Sequence, residues 1–431
     1  MPTRRLRWLA GGLLSGACEG LFVLTSAMHP AIAFGTDDAL IMGGTEQPDP
    51  GPLYAMDVNA DYILPNLPDI YPGTTDTTTV LPTPEQFFPL PGYSELTLGQ
   101  SMVQGLHDLQ TALAAEPPGT DTIVYGFSQS ATIGTDELDE IANGTVADPP
   151  SPTDLAFVFT GDPNNPDGGL LERFDGFYIP GLNMAFNGAT PDSVYPTDVY
   201  TDEYDGVADF PQYPANLLAD LNAIMGVFYG DHDYSDLTPA QVGAAVVEAV
   251  SPGAGDTTYY FIPTQTLPLL EPLLQAGAPQ SLIDLLTPDL RVLVDLGYGS
   301  IGSGFGEEYA NLPTPASLFE LVNPFTVTSD LLIGADQGFT AALVDSGLLP
   351  QADMPDAYPF VPSIDPDLSI SVGQPSETLT SELLGVIGSA LYDLNIPDIV
   401  NGTSDAGDVI TDMANAGLTV ADLSTLAALF G

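Results

Sequence analysis

Short apolar runs alternate with helically spaced apolar positions over most of residues 39–262. Ala39-Leu40-Ile41-Met42 reads as a buried strand that enters a tight loop at Gly43-Gly44-Thr45. Residues 46–95 are rich in Pro, Asp and Tyr and read as a long surface excursion. Met102, Leu106, Leu109 and Leu113 recur at helical spacing within a helix predicted over 95–115, stopped by Pro117-Pro118-Gly119. A β-rich run at 122–125 follows, then a helix over 130–141 with Ile133, Leu138 and Ile141 inward. Further strands are predicted at 155–160, 198–204 and 257–262, and further helices at 215–225 and 239–250.

Strands alternating with helices predict an α/β fold with a largely parallel central sheet. Beyond residue 300 the pattern changes to Gly/Ser/Pro loops between short apolar segments, with helices expected at 380–393 and 405–430. The expected organisation is therefore an N-terminal leader at 1–33, a catalytic-size α/β domain at 34–300, and a Gly/Pro-rich and helical C-terminal extension at 301–431. The extension carries no Lys or Arg and no recognisable chemistry.

The leader has the layout of an export signal. Arg4, Arg5 and Arg7 precede an apolar run that ends in Ala31-Ile32-Ala33, a small-x-small cleavage pattern. The competing reading is an uncleaved membrane anchor, opposed by Glu19 within the run and Pro30 near its end. Cleavage after Ala33 implies a secreted or cell-envelope protein. It also removes three of the five arginines and the single cysteine, so no disulfide is expected.

Charge narrows the function. The chain has 58 Asp and Glu against 5 Lys and Arg, a formal net charge of −53. Charged residues total 15%, below the roughly 25% of an average soluble domain. The acidity thus comes from missing bases; there is no lysine at all. Nucleic acid is excluded as a partner, because phosphate contacts cannot be assembled. A P-loop lysine is impossible. An uncharged or weakly polar ligand, such as a lipid ester, fits.

The chemistry concentrates at Gly126-Phe127-Ser128-Gln129-Ser130, between a predicted strand and a predicted helix. A nucleophile elbow needs that context, since its serine sits on a strained strand-to-helix turn flanked by small residues. Ser130 stands where the last glycine is usual. A helix N-cap serine at an ordinary junction is the rival reading. A serine nucleophile calls for a histidine base. His29 lies in the leader and His107 inside the helix over 95–115, which leaves His232 in the loop Gly230-Asp231-His232-Asp233-Tyr234. The acid is expected between them: Asp205 at a strand end, Asp209 as the alternative, Asp162 third. The oxyanion donors expected are the Gln129 backbone N–H and one from Gly44 or Thr45. No cofactor and no metal are expected, because residues 34–431 hold two histidines and no cysteine.

At these residues the chain resembles the PE-PPE domain family. The resemblance rests on Met42-Gly43-Gly44-Thr45, on Tyr125-Gly126-Phe127-Ser128-Gln129-Ser130-Ala131-Thr132, and on Gly161-Asp162-Pro163-Asn164-Asn165-Pro166. Tyr204-Asp205-Gly206-Val207-Ala208-Asp209-Phe210-Pro211 and Asp289-Leu290-Arg291-Val292-Leu293-Val294-Asp295-Leu296-Gly297-Tyr298-Gly299 extend it, so that it covers about residues 39–300. It implies an α/β-hydrolase fold of cutinase-like serine esterases, with Ser128 as nucleophile, His232 as base and Asp205 or Asp209 as acid. Family members resemble esterases of short- to medium-chain acyl esters, and some are acyltransferases that build trehalose lipids. The N-terminal helical PE or PPE module is replaced by the leader, which points to the general export route. The expectation is a secreted serine esterase acting on acyl esters through Ser128. The alternatives are an acyltransferase on trehalose-type glycolipids and a non-catalytic acidic envelope protein.

Overall fold

The structure is a computed structural model that describes residues 37–65, 77–89, 95–117, 119–299, 309–318 and 324–355. The predicted leader at 1–33 and the helices expected at 380–393 and 405–430 lie outside the described residues. The chain begins with β1 (Asp37–Ile41), α1 (Gly51–Val58), β2 (Thr77–Val80) and α2 (Leu98–Ala115). β3 (Asp121–Phe127), α3 (Gln129–Ala142), β4 (Leu155–Thr160) and α4 (Leu170–Arg173) follow. A small antiparallel pair, β5 (Tyr178–Ile179) and β6 (Met184–Ala185), precedes β7 (Thr197–Asp202) and α5 (Leu217–Tyr229). The chain continues through α6 (Pro239–Val242), β8 (Val246–Val247), β9 (Thr257–Ile262), α7 (Glu271–Gln275), α8 (Gln280–Asp295) and α9 (Pro324–Asp345).

Among the described residues, seven strands form one sheet in the order β2-β1-β3-β4-β7-β9-β8. All neighbours are parallel except the edge pair β8–β9. This is an α/β architecture with a largely parallel central sheet, as predicted. The central strands are apolar because a parallel sheet is covered on both faces. Alternate side chains serve the two faces: Ile123, Tyr125, Ala156 and Val158 enter one core, while Val124, Phe157 and Phe159 enter the other with Leu109, Ile133 and Leu138 of α2 and α3. The chain runs from β1 outward to β2 and then returns to the other side of β1 for β3. That reversal makes a crevice at the carboxyl ends of β1 and β3, the usual ligand position in such sheets.

Several expectations need correction. The excursion over 46–95 contains α1 and the edge strand β2. The helix expected over 239–250 stops at Val242, where Gly243 forms its C-cap; the β-branched Val246 and Val247 then add an antiparallel edge strand. Beyond residue 300, α9 is a 22-residue helix packed on α8. Its sequence hides it, because glycine and β-branched residues are poor helix formers. Close packing supplies what propensity lacks: a Cβ on Gly338 would stand 2.6 Å from the Leu285 carbonyl oxygen. Residues 309–318 are stitched to the preceding domain, with Thr314 N–H donating to the Pro166 carbonyl and Ala316 N–H to that of Arg173.

The shortage of bases reaches into the core. Arg173 and Arg291 are both buried, so the described surface carries no lysine or arginine head group. Several buried acids have no cation beside them, and burial there favours the neutral form. Burial pushes Glu85 up to about 8, Asp198 to about 8 and Asp162 to about 6. In the unfolded chain such carboxyls ionise near about 4. Between these pKa values the unfolded chain has released protons that the folded chain still holds. Stability is therefore fully present below the unfolded pKa and falls as pH rises toward the folded one. The melting temperature is expected to decline between about pH 5 and about pH 8, as read by calorimetry. A melting temperature that climbs across this window would contradict neutral core acids.

Candidate active site

Ser128 sits between β3 and α3 with φ 55° and ψ −115°, a conformation costly for any residue with a Cβ. The surrounding sequence makes it attainable. A Cβ on Gly126 would lie 2.6 Å from the Ser130 carbonyl oxygen. Ser130 fits in place of the usual glycine because its hydroxyl is absorbed locally: Oγ accepts from the Phe127 N–H at 2.8 Å and donates to the Phe127 carbonyl at 3.2 Å.

The structure brings Ser128, His232 and Asp205 into one hydrogen-bonded line. His232 Nε2 lies 2.8 Å from Ser128 Oγ, and Nδ1 lies 2.8 Å from Asp205 Oδ2. Asp205 is fully buried, and it also accepts from the Val207 N–H at 2.9 Å and from the Tyr234 hydroxyl at 2.9 Å. The His232 ring is mostly buried, against the Phe127 ring at 5.2 Å between centroids. Of the two flanking aspartates, Asp231 is pushed up to about 8 by burial and by nearby Asp205 and Glu203, so it is uncharged at neutral pH. Asp233 is exposed and accepts from the Ser235 hydroxyl at 2.6 Å.

The alternative acids are occupied elsewhere. Asp209, the second choice from sequence, accepts the Tyr204 N–H at 2.8 Å, and burial holds its carboxyl well above the usual range. It is not the partner of His232. Asp162 accepts from Asn164 N–H and from the Thr190 hydroxyl. His107 is exposed on α2, away from this line.

The expected oxyanion donors converge on the same turn. Gln129 opens α3, where a first-turn N–H has no partner within the helix. Its side chain ties two elements together: Oε1 accepts from Thr45 Oγ1 at 3.2 Å, and Nε2 donates to Ser101 Oγ of α2 at 2.6 Å. Gly44 lies against Phe127, whose ring would meet a Cβ there at 2.6 Å. The loop after β1 is thus held beside the turn after β3, as the crevice at the strand reversal requires.

Sequence reasoning missed the groups that hold this line in place. Tyr234 donates to Asp205, accepts the Asp202 N–H at 2.8 Å, and offers its carbonyl to the Tyr62 hydroxyl at 2.6 Å. Its place two residues beyond His232 was visible; its long-range partners were not. Tyr204, at φ 68°, directly precedes Asp205. Its hydroxyl donates to Asp295 at 2.6 Å and accepts from Arg291 Nη1 at 3.0 Å. Arg291 also pairs with Glu203 at 2.9 Å and donates to the Thr264 carbonyl at 2.9 Å. The motif around Arg291 therefore anchors the turn that presents Asp205.

The PE-PPE domain matches residues 72–299. Over 357 residues the chain is 45% identical to the PE family protein PE3 of Mycobacterium tuberculosis, covering 81% of this chain and 72% of that one. It is 42% identical to the esterase PE16 of the same organism, covering 80% of this chain and 63% of the relative, and so spans less than two thirds of PE16. It is 32% identical to the SL1278 acyltransferase Chp1 of that organism, covering 66% and 70%.

Proposed function

The chain belongs to the PE-PPE domain family, and from that premise we propose that it is a serine hydrolase of carboxylic acyl esters. The observation that carries the reading is the 2.8 Å approach of His232 Nε2 to Ser128 Oγ on a strained turn, with Asp205 behind the imidazole. Ser128 Oγ attacks the ester carbonyl carbon while His232 Nε2 takes its proton. Asp205 holds the imidazole so that Nε2 faces the serine. The N–H of Gln129 and one from Gly44 or Thr45 receive the negative charge on the carbonyl oxygen. The alcohol leaves with the proton from His232, and the acyl group stays on Ser128. Water then enters by the same route and releases the acid. The leader at 1–33 exports the protein, which acts outside the cell or in its envelope.

An acyltransferase differs only in the second half-reaction, where a sugar hydroxyl replaces water. The similarity to Chp1 favours keeping this reading, and product analysis with and without a polyol acceptor separates the two.

The test is labelling by a fluorophosphonate that reacts with activated serines. The folded wild-type chain gains one probe mass, located on the peptide containing Ser128, and Ser128→Ala gains none. Folded protein that remains unlabelled points instead to a non-catalytic role.

A further inference from the structure

Helix α5 has two unlike faces. Of its buried residues, Ala223 and Gly226 press on the turn that carries Asp205, Ala219 lies against Gly297, and Asn222 accepts the Leu269 N–H. A Cβ on Gly226 would stand 2.2 Å from the Tyr204 carbonyl oxygen, and one on Gly206 would stand 2.3 Å from that of Ala223. The helix ends at Tyr229, and His232 follows after Gly230 and Asp231. Helix α5 therefore lies at the carboxyl edge of the sheet, beside the Ser128 site.

The opposite face is apolar and open. Leu217, Leu221, Ile224 and Phe228 recur at spacings of four, three and four, which places them on one stripe. Leu217 is 75% exposed and Phe228 76%. Asp220 is the one charged residue of the helix; it is half-buried, and burial pushes it up to about 6. In a chain with 58 acidic residues, this uncharged stripe next to the site stands out.

We propose that this face seats the protein on the surface of an uncharged lipid aggregate, such as an acylglycerol droplet, and that this surface supplies the ester. The inference rests on the ester-acting reading and specifies the physical form of the substrate. Charge selects the occupant. The chain carries a formal −53, and its described surface has no lysine or arginine head group, so an anionic bilayer repels it. A second copy of the chain brings the same charge. A neutral lipid surface buries the stripe without electrostatic opposition. Seating there holds the Ser128 turn at the lipid edge, where an ester in the surface layer can reach Oγ.

The test separates binding from turnover. Full-length Ser128→Ala protein floats with emulsified neutral triacylglycerol and not with phosphatidylglycerol vesicles. Adding Leu217→Ser and Phe228→Ser lowers partition to the droplets on the order of 100-fold, from the loss of two large apolar anchors. In an otherwise wild-type chain, the same pair lowers turnover of the emulsified ester and leaves kcat/KM on a dissolved short-chain ester unchanged. The control pair Leu332→Ser and Phe339→Ser, on the exposed face of α9, leaves flotation intact. Undiminished flotation of the α5 pair overturns the proposal. So does equal loss with the α9 pair, or a wild-type dimer that the α5 pair dissociates. A wild-type chain that floats but leaves the dissolved ester intact counts against the ester-acting reading, not against the docking face.

Discussion

Replacing Asp205 by Asn lowers kcat on a dissolved ester by a factor of about 10⁴, the scale of loss when a triad carboxylate becomes an amide. The reason is the direction of one proton. The Asp205 carboxylate accepts from His232 Nδ1 across 2.8 Å, which leaves Nε2 free to take the Ser128 proton. An amide nitrogen at that position donates to Nδ1 instead, turns the proton onto Nε2, and removes the base. Asp209→Asn is the control. Burial pushes the Asp209 carboxyl well above the usual carboxylate range, and its Oδ2 accepts the Tyr204 N–H at 2.8 Å. An amide oxygen serves that bond equally well, so kcat stays within about 10-fold of wild type, the effect of a small shift in positioning. Thermal melts of both variants report folding. A larger loss at Asp209 than at Asp205 would reverse the assignment.

Arg291→Met has the largest expected effect on stability, about 3–5 kcal/mol, because it strands a buried charge. Arg291 is fully buried and spans Glu203, Tyr204 and the carbonyls of Thr264 and Gln265. Methionine fills much of the volume but leaves Glu203 Oε1 without its cation. The denaturation midpoint falls, and kcat falls with it, because Tyr204 leads directly into Asp205. The double variant Arg291→Met with Glu203→Gln recovers part of the stability, since the stranded carboxylate is gone. A single variant with a wild-type midpoint would show that this pair holds nothing.

Much of the fold was legible from local pattern. β3, β4 and β9 announce themselves as short apolar or β-branched runs, because a parallel strand is buried on both faces. α2 and α3 announce themselves by helical spacing. Elements that depend on a partner do not. β2 is a short edge strand defined by its pairing with β1. α9 is a poor helix in isolation and is stabilised by close approach to α8.

The sequence by itself determined the chemistry available at the site. A serine in a strand–turn–helix context, a supply of two histidines outside the leader and the absence of lysine leave few alternatives to Ser128 and His232. The same scarcity of bases left most buried acids without a cation to hold their charge, so burial favours their neutral form. Only the tertiary structure decided which aspartate faces the imidazole. Asp205 and Asp209 lie four residues apart in one acidic turn, and the predicted strand end favoured Asp205 without excluding Asp209. The choice falls on Asp205 because Tyr204 at φ 68° turns the chain there, and because Arg291 and Tyr234 grip that turn from elements distant in sequence. A hydrogen bond spanning 27 residues, such as His232 to Asp205, is specified by the packing that brings its ends together, and packing is a property of the whole fold.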